Sequence, residues 1–484
     1  MLFNSIEYFI YLPSVFLLYW LVFERFIRKS KYQLDLQNAF VVVASYVFYG
    51  WWDWRFLLLI AFTSFCSWGS GILIGKQVWR DCARFWMWMN VALNIGILCL
   101  FKYYDFVVTE FARLFHLDPD GILLNVMLPV GISFYTFQAL SYTIDVYRGK
   151  MQPTDDILAF FAFISFFPQL VAGPIERATN LLPQFLQKRK LDYGTAVSGL
   201  KLILWGLFKK IVVADNCAVY VDEVFATYSQ QNGSTLLLAA IFFTIQIYGD
   251  FSGYSDIAIG TAKLFGIQLM RNFNMPYFSR DIAEFWRRWH ISLTTWFRDY
   301  VYIPLGGSYG SDWTVIRNTL VIFLLSGFWH GANWTFIVWG AYHAMLFLPL
   351  ILLGKNRRFT NQVAEGRTLP TLKETGQMLF TFFLVAVGLI IFRSESIGHA
   401  WAYLCRMCDK SLWSVPWLYS TTYFLPMPVL LLLFIVIEWV GRAEDCPINW
   451  SFLPRVGRWL VYLTIVILLF AFGTASETFI YFQF

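Results

Sequence analysis

The sequence predicts an all-α, polytopic membrane protein with about 11 or 12 transmembrane helices and additional re-entrant or interfacial helices. Three observations predict it. Of 484 residues, 58% are apolar and only 14% are charged, against roughly 25% charged in an ordinary soluble chain, so the polar surface needed to face water is missing. The apolar residues fall in runs that approach the about 20 residues a helix needs to cross a bilayer, and a helix satisfies its own backbone hydrogen bonds in lipid. The basic residues sit in short connectors between those runs. The net charge of +6 therefore reports orientation and gives no reason to expect nucleic acid as a partner.

The elements follow in chain order. Leu12–Phe23 centres the first span, which lacks a basic leader and a small-residue cleavage site and is expected to be retained. Arg25, Arg28, Lys29 and Lys31 follow it, Lys76, Arg80 and Arg84 follow the next two spans, and Arg148 and Lys150 follow another. By the positive-inside rule these connectors are cytoplasmic, which puts the N-terminus and the acidic connector with Glu110, Asp118 and Asp120 outside. Phe56–Ile74 is a second clear apolar centre. Around Phe160–Pro183 the pattern breaks at Pro168, Gly173, Pro174 and Pro183, with Glu176 and Arg177 beside the break. Broken backbone at membrane depth must be buried in protein or line a wet cavity, so a re-entrant segment on the cytoplasmic side is expected.

Ser279–Leu305 mixes Trp286, Trp289, Trp296 and Phe297 with Arg287, Arg288, Arg298 and Asp299. That mixture suits a helix lying along the cytoplasmic water interface, and its charged side could equally be no more than a solvated face. Phe380–Ile391, Val429–Ile437 and Leu460–Phe472 centre the late apolar segments, with polar connectors at Lys355–Thr375 and Arg442–Pro447. No Ser, Gly or Pro linker and no repeat divides the chain, so one membrane-embedded domain over 1–484 is expected.

Few residues offer chemistry. The five histidines are His116, His290, His330, His343 and His399; His116 and His399 lie in or near polar surroundings and read as surface residues. His330 stands in the uncharged run VIFLLSGFWHGANWTFIVWG at 321–340, where an ionisable group is costly unless it faces protein or water and so marks a functional site. Asn333 would share its face if the helix continued through Gly331, and an imidazole with a polar partner in a pocket of low polarity suits a general base; a core histidine bonded to a backbone carbonyl is the alternative. His343 is turned about 220° from His330 on one continuous helix, so the two are not expected to share a site. His290 sits in the Trp-flanked WRRWH block. Asp250, Ser252 and Asp256 read either as cation ligands or as buried groups capping a helix break at Gly249 and Gly253. Cys405 and Cys408 form a CxxC without a second pair, and structural thiols are the better reading of all seven cysteines. Phosphate-binding, zinc-protease, serine-hydrolase and dinucleotide signatures are missing.

Taken together, the blocks ASYVFYGWWDWRFL (44–57), LPVGISFYTFQALSYTIDVYRG (128–149), FFPQLVAGPIER (166–177), GLFKKIVVADN (206–216), YGDFSGYSDIAIG (248–260), NFNMPYFSRDIAEFWRRWHISLTTWFRDYVYIPLGG (272–307) and GFWHGANWTFIVWG (327–340), with the ending FIYFQF (479–484), resemble the membrane-bound O-acyltransferase family, in its bacterial alginate and peptidoglycan O-acetylase branch. The resemblance implies a family core over about 40–350 and further helices over about 374–484, arranged as a ring around a thin centre with a funnel or tunnel. It places His330 at the family's near-invariant histidine and His290 at its second histidine. It further implies acetyl-CoA as the donor, with no tightly bound cofactor, and acetyl as the acyl group. Asn333 or a backbone N–H would stabilise the oxyanion, Arg287 and Arg288 would attract the donor's phosphates, and Trp329 would flank the site. The implied setting is the bacterial cytoplasmic membrane, among membrane lipid, with a periplasmic or extracellular serine-hydrolase-like acetyltransferase as partner and a polysaccharide as the eventual acceptor. The rival expectations are a D-alanyl transfer protein of teichoic acid modification, a transporter or channel with His330, Asp250 and Asp256 along its path, and a silent scaffold.

Overall fold

The fold is known from a computed structural model, which describes residues 1–22, 26–27, 30–76, 82–119, 121–171, 173–418, 426–473 and 480. Arg25, Arg28, Lys29, Arg80 and Asp120, and all of FIYFQF except Ile480, lie outside the described residues. Among the described residues the secondary structure is helical throughout, without a strand. Among the described residues, five helices could cross a membrane by length and composition: Arg55–Gly75, Ala83–Lys102, Gly233–Leu264, Trp334–Leu352 and Leu372–Arg393. The sequence expectation of about 11 or 12 crossings counted apolar runs; in the fold several such runs are spent on shorter helices, among them Ile6–Val22 and Met427–Val440. The chain forms two compact units, 1–200 with 258–270, and 201–257 with 271–484.

In the first unit, α1 (Ile6–Val22), α2 (Gln33–Gly50), α3 (Arg55–Gly75), α4 (Ala83–Lys102), α5 (Tyr104–Phe115) and α6 (Ile132–Tyr147) precede three short helices, α7 (Ile157–Ser165), α8 (Phe167–Leu170) and α9 (Ala178–Phe185). Helices α3, α4 and α6 pack on one another through small and polar side chains, the usual means of association where lipid removes the hydrophobic drive. Asn90 Nδ2 donates to Thr143 Oγ1 at 2.7 Å, and Ser67 Oγ donates to Asn90 Oδ1 at 3.3 Å. The break foreseen around Pro168 is present. Helix α7 stops at Ser165, Phe167 N donates to Ser45 Oγ at 3.1 Å, and α8 is a single turn. The backbone here is enclosed by protein, with Phe166, Ile175 and Glu176 all fully buried. Glu176 accepts hydrogen bonds from Met270 N and Asn180 Nδ2.

Helix α10 (Tyr193–Leu207) leads into the second unit through a π-helical segment, Phe208–Ala214, followed by α11 (Asp215–Ala226) and the 32-residue α12 (Gly233–Leu264). Gly249 and Gly253 do not break α12, as the capping alternative required. They serve close approach: a Cβ on Gly253 would lie 2.8 Å from the carbonyl oxygen of Gly206. The unit continues with α13 (Ile282–Arg288), α14 (Ile291–Phe297), α15 (Asp312–His330), α16 (Trp334–Leu352), α17 (Leu372–Arg393), α18 (Ile397–Met407), α19 (Met427–Val440) and α20 (Arg455–Ala471). Helices α15 and α16 form a hairpin whose backbones nearly touch. A Cβ on Gly327 would meet the Phe336 oxygen at 2.2 Å, and one on Gly340 would meet the Phe323 oxygen at 2.4 Å.

The stretch Ser279–Leu305 departs from the expected single interfacial helix. It is two short helices and a π turn at Arg298–Tyr302, and Trp286, Trp289, Trp296 and Phe297 are all buried. Its charged side is solvated in part, with Arg287 and Arg298 exposed, and held internally in part. Buried Glu284 accepts from Arg280 Nε at 3.0 Å and from Arg288 Nη2 at 2.8 Å, which neutralises a carboxylate that burial alone would penalise.

Candidate functional site

The hairpin turn fixes the position of His330. The helix α15 ends on this residue, Gly331 is fully extended (φ −172°, ψ 164°), and Asn333 begins α16. Gly331 is required for space, since a Cβ there would lie 2.3 Å from the Phe336 ring. The continuous helix that would have set Asn333 on the face of His330 therefore does not exist. Asn333 instead caps α16, its Oδ1 accepting from Thr335 N at 3.1 Å and its Nδ2 donating to the Glu395 oxygen at 3.0 Å. The His330 ring is buried edge-on among Trp329, Trp339 and Phe392, with centroids 4.9, 5.1 and 5.1 Å away.

His290 is held differently. It lies between α13 and α14 with φ 43°, a left-handed conformation uncommon outside glycine and asparagine. Its Nδ1 is 3.1 Å from Asn272 Oδ1, which also accepts from Ser292 Oγ at 2.9 Å, while Asn272 Nδ2 donates to Ser255 Oγ at 3.2 Å. An amide oxygen only accepts, so Nδ1 carries the ring's proton and Nε2 presents a lone pair. That Nε2 is buried and has no hydrogen-bond partner. Burial lowers the imidazole from its usual 6.5 to about 3, so His290 is neutral at physiological pH. Trp329 packs against it as well, 5.8 Å between ring centroids.

His290 and His330 line one cavity, together with Ile247, Phe251, Phe285, Trp289, Trp339, His343, Val385, Leu389 and Phe392. The space available to a water-sized occupant is about 20 Å³, little more than one or two waters need. The presence of His343 corrects the sequence expectation. A rotation of 220° holds for one helix, whereas the chain reverses at Gly331 and brings α16 back alongside α15, so His343 returns to the same cavity. Trp339 separates the two rings, 5.1 Å from His330 and 4.9 Å from His343. Sequence reasoning also missed Trp339 itself and Asn272; the local cue available for the first was its place one turn before His343.

The remaining candidates lie elsewhere in the second unit. Arg287 donates to the backbone oxygens of Asn356 and Phe359 and so fastens the connector after α16, while Arg288 pairs with Glu284 and reaches the Asn361 oxygen at 3.5 Å. Asp250 and Asp256 are held by lysines of the π segment. Lys209 Nζ is 2.6 Å from Asp256 and 2.9 Å from Ser252, and Lys210 Nζ is 2.8 Å from Asp250 and 2.6 Å from Asp215. Neither aspartate lines the cavity. Among the described residues no cluster of three or more His, Cys, Asp or Glu side chains could hold a metal ion, and Cys405 and Cys408 are exposed free thiols.

A family model described as MBOAT, membrane-bound O-acyltransferase family, matches residues 154–374, which include all three cavity histidines. The chain is 39% identical to the "Probable alginate O-acetylase AlgI" of Pseudomonas aeruginosa over 446 residues, 91% of this chain and 81% of that protein. It is 32% identical to the peptidoglycan O-acetyltransferase of Helicobacter pylori, over 83% of this chain and 78% of that protein. It is 27% identical to the teichoic acid D-alanyltransferase of Bacillus subtilis, over 70% of this chain and 86% of that protein.

Proposed function

The chain belongs to the membrane-bound O-acyltransferase family, and from that premise we propose that it carries an acetyl group from a cytoplasmic thioester, acetyl-CoA, to a hydroxyl on the far side of the bilayer. It is an O-acyltransferase and a multi-pass membrane protein. The finer reading is O-acetylation of an extracytoplasmic polysaccharide such as alginate, from the bacterial cytoplasmic membrane, through a serine-hydrolase-like partner that receives the acetyl group first.

The observation that carries this reading is the convergence of His290 and His330, from separate helices, on one small aromatic cavity. In the proposed reaction His330 accepts the proton of the acceptor hydroxyl as its oxygen bonds to the thioester carbonyl carbon; the C–S bond then breaks and the thiol leaves with that proton. His330 ends α15, so the negative pole of the helix dipole faces the charge that develops on the ring. His290, with its bare Nε2, takes part in the proton transfer. Arg287 and Arg288 draw the donor's phosphates toward the connector they hold.

The cavity's lining favours acetyl over D-alanyl: none of the lining residues is a carboxylate that would receive an ammonium. The ion pairs of Asp250 and Asp256 count against a conduction path through them. The test is to incubate the purified protein with radiolabelled acetyl-CoA, with and without the proteins encoded beside it. Label on a neighbour's serine, lost with His330→Ala, is expected; proteoliposome flux without any acyl transfer would refute the proposal.

A further inference from the structure

Acyl transfer from a thioester creates a negatively charged oxygen on the former carbonyl, and a donor aimed at that oxygen is the largest single electrostatic aid the reaction can receive. Asn333 caps α16 and is not among the residues that line the cavity, so the donor must come from the cavity wall. His290 does not qualify, because its one N–H is spent on Asn272 and Nε2 can only accept.

We infer that the indole N–H of Trp339 donates a hydrogen bond to the carbonyl oxygen of the bound acyl group and to the oxyanion formed from it. Three observations carry this. Trp339 lines the cavity, between His330 and His343. The residue is 3% exposed, and its Nε1 has no hydrogen-bond partner. Indole nitrogen is a donor in every state, so no tautomer can satisfy it from within. A buried N–H left unmade is costly and calls for an explanation; an acceptor oxygen delivered by the substrate supplies one. Trp286 offers an internal comparison. Its Nε1 is equally buried and unpartnered, and it packs on Trp339 with 5.7 Å between ring centroids, yet it is not part of the cavity lining.

This assignment rests on the acyltransfer reading above, and the experiment separates the two. Acetyl transfer from acetyl-CoA is measured for the wild type, Trp339→Phe and Trp286→Phe, alongside competition by two inert coenzyme A derivatives, acetonyl-CoA, which keeps the carbonyl, and S-ethyl-CoA, which lacks it. Trp339→Phe is expected to lower kcat/KM by about 10²-fold, most of it in kcat because the bond strengthens as the oxygen gains charge. It should weaken acetonyl-CoA and leave S-ethyl-CoA untouched, whereas Trp286→Phe should behave as wild type. A purely structural role for Trp339 would weaken both analogues together, and that outcome, or a wild-type kcat in Trp339→Phe, overturns the inference while the acyltransferase reading stands. Wild-type protein that transfers nothing and binds neither analogue sinks both. Should Trp339→Phe not accumulate, β-(3-benzothienyl)alanine at position 339 replaces the N–H with sulfur at equal size and must give the same kcat loss.

Discussion

His330 and His343 share one cavity although they are thirteen residues apart on what sequence periodicity treats as a single helix, and Trp339 stands between their rings. The chain achieves this by ending α15 on His330 and starting α16 at Trp334, so that α16 runs back alongside α15 and carries His343 to the cavity that His330 lines. This wall of the cavity is thus set by a turn and by two near-touching backbones.

His330→Ala is expected to abolish turnover by about 10³-fold, within the range that positioned proton transfer contributes, without comparable loss of folded protein. Acetyl transfer in membranes matched for protein content, with thermal unfolding in detergent as the companion, checks it; wild-type transfer would remove His330 from the proposed role.

Gly327→Ala and Gly340→Ala should each lower stability by about 3 kcal/mol or more, at or beyond the usual range for overpacking, because the added carbon meets a backbone oxygen at 2.2 or 2.4 Å. Gly376→Ala, in α17 with open space around its Cβ, should instead be neutral or gain up to about 1 kcal/mol from helix propensity. Thermal unfolding of the three variants separates close approach from a general aversion to change.

Lys210→Met should cost about 3–5 kcal/mol, the usual penalty for removing one partner of a buried ion pair, since it leaves Asp215 and Asp250 without the ammonium that both contact. Adding Asp215→Asn should recover part of the loss. Denaturation midpoints of the single and double variants measure the coupling, and additive effects would contradict the shared site.

Acidification should destabilise the protein through His290. Its folded value of about 3 lies below the ordinary 6.5, so between those two pH values the unfolded chain takes up a proton that the folded chain refuses. The stability this group contributes is complete above 6.5 and drains away as pH falls toward 3, at up to about 1.4 kcal/mol per pH unit. His290→Asn tolerates the left-handed backbone and should show a shallower fall in unfolding temperature between pH 6.5 and 4.5; identical slopes would exclude His290 as the source.

Much of this was legible from composition and local pattern. The helical membrane class and the break at Pro168 follow from runs of apolar residues and what interrupts them, and the same pattern singles out His290 and His330, which the fold brings to one cavity. What escaped depends on chain reversal and on distant pairing. Asn333 has the right spacing to help His330 on a helix, and only the extended Gly331 shows that no such helix exists. Asp250 and Asp256 stay open in the sequence between cation ligands and capping groups because Lys209 and Lys210 lie about forty residues upstream, beyond any periodicity argument. The unpartnered N–H of Trp339 is invisible in principle to sequence, since burial and partners belong to the folded state.

The locked hairpin also limits how this enzyme can be retuned. With Gly327 and Gly340 already in backbone contact, α15 and α16 cannot slide or separate to admit a longer acyl chain without losing their seat. Room for a different cargo would have to be carved from the opposite walls, at Val385 and Leu389 on α17 or Ile247 and Phe251 on α12. Those four positions are where selection, natural or in the laboratory, should leave its mark when one member of the lineage trades a short acyl group for a bulkier one.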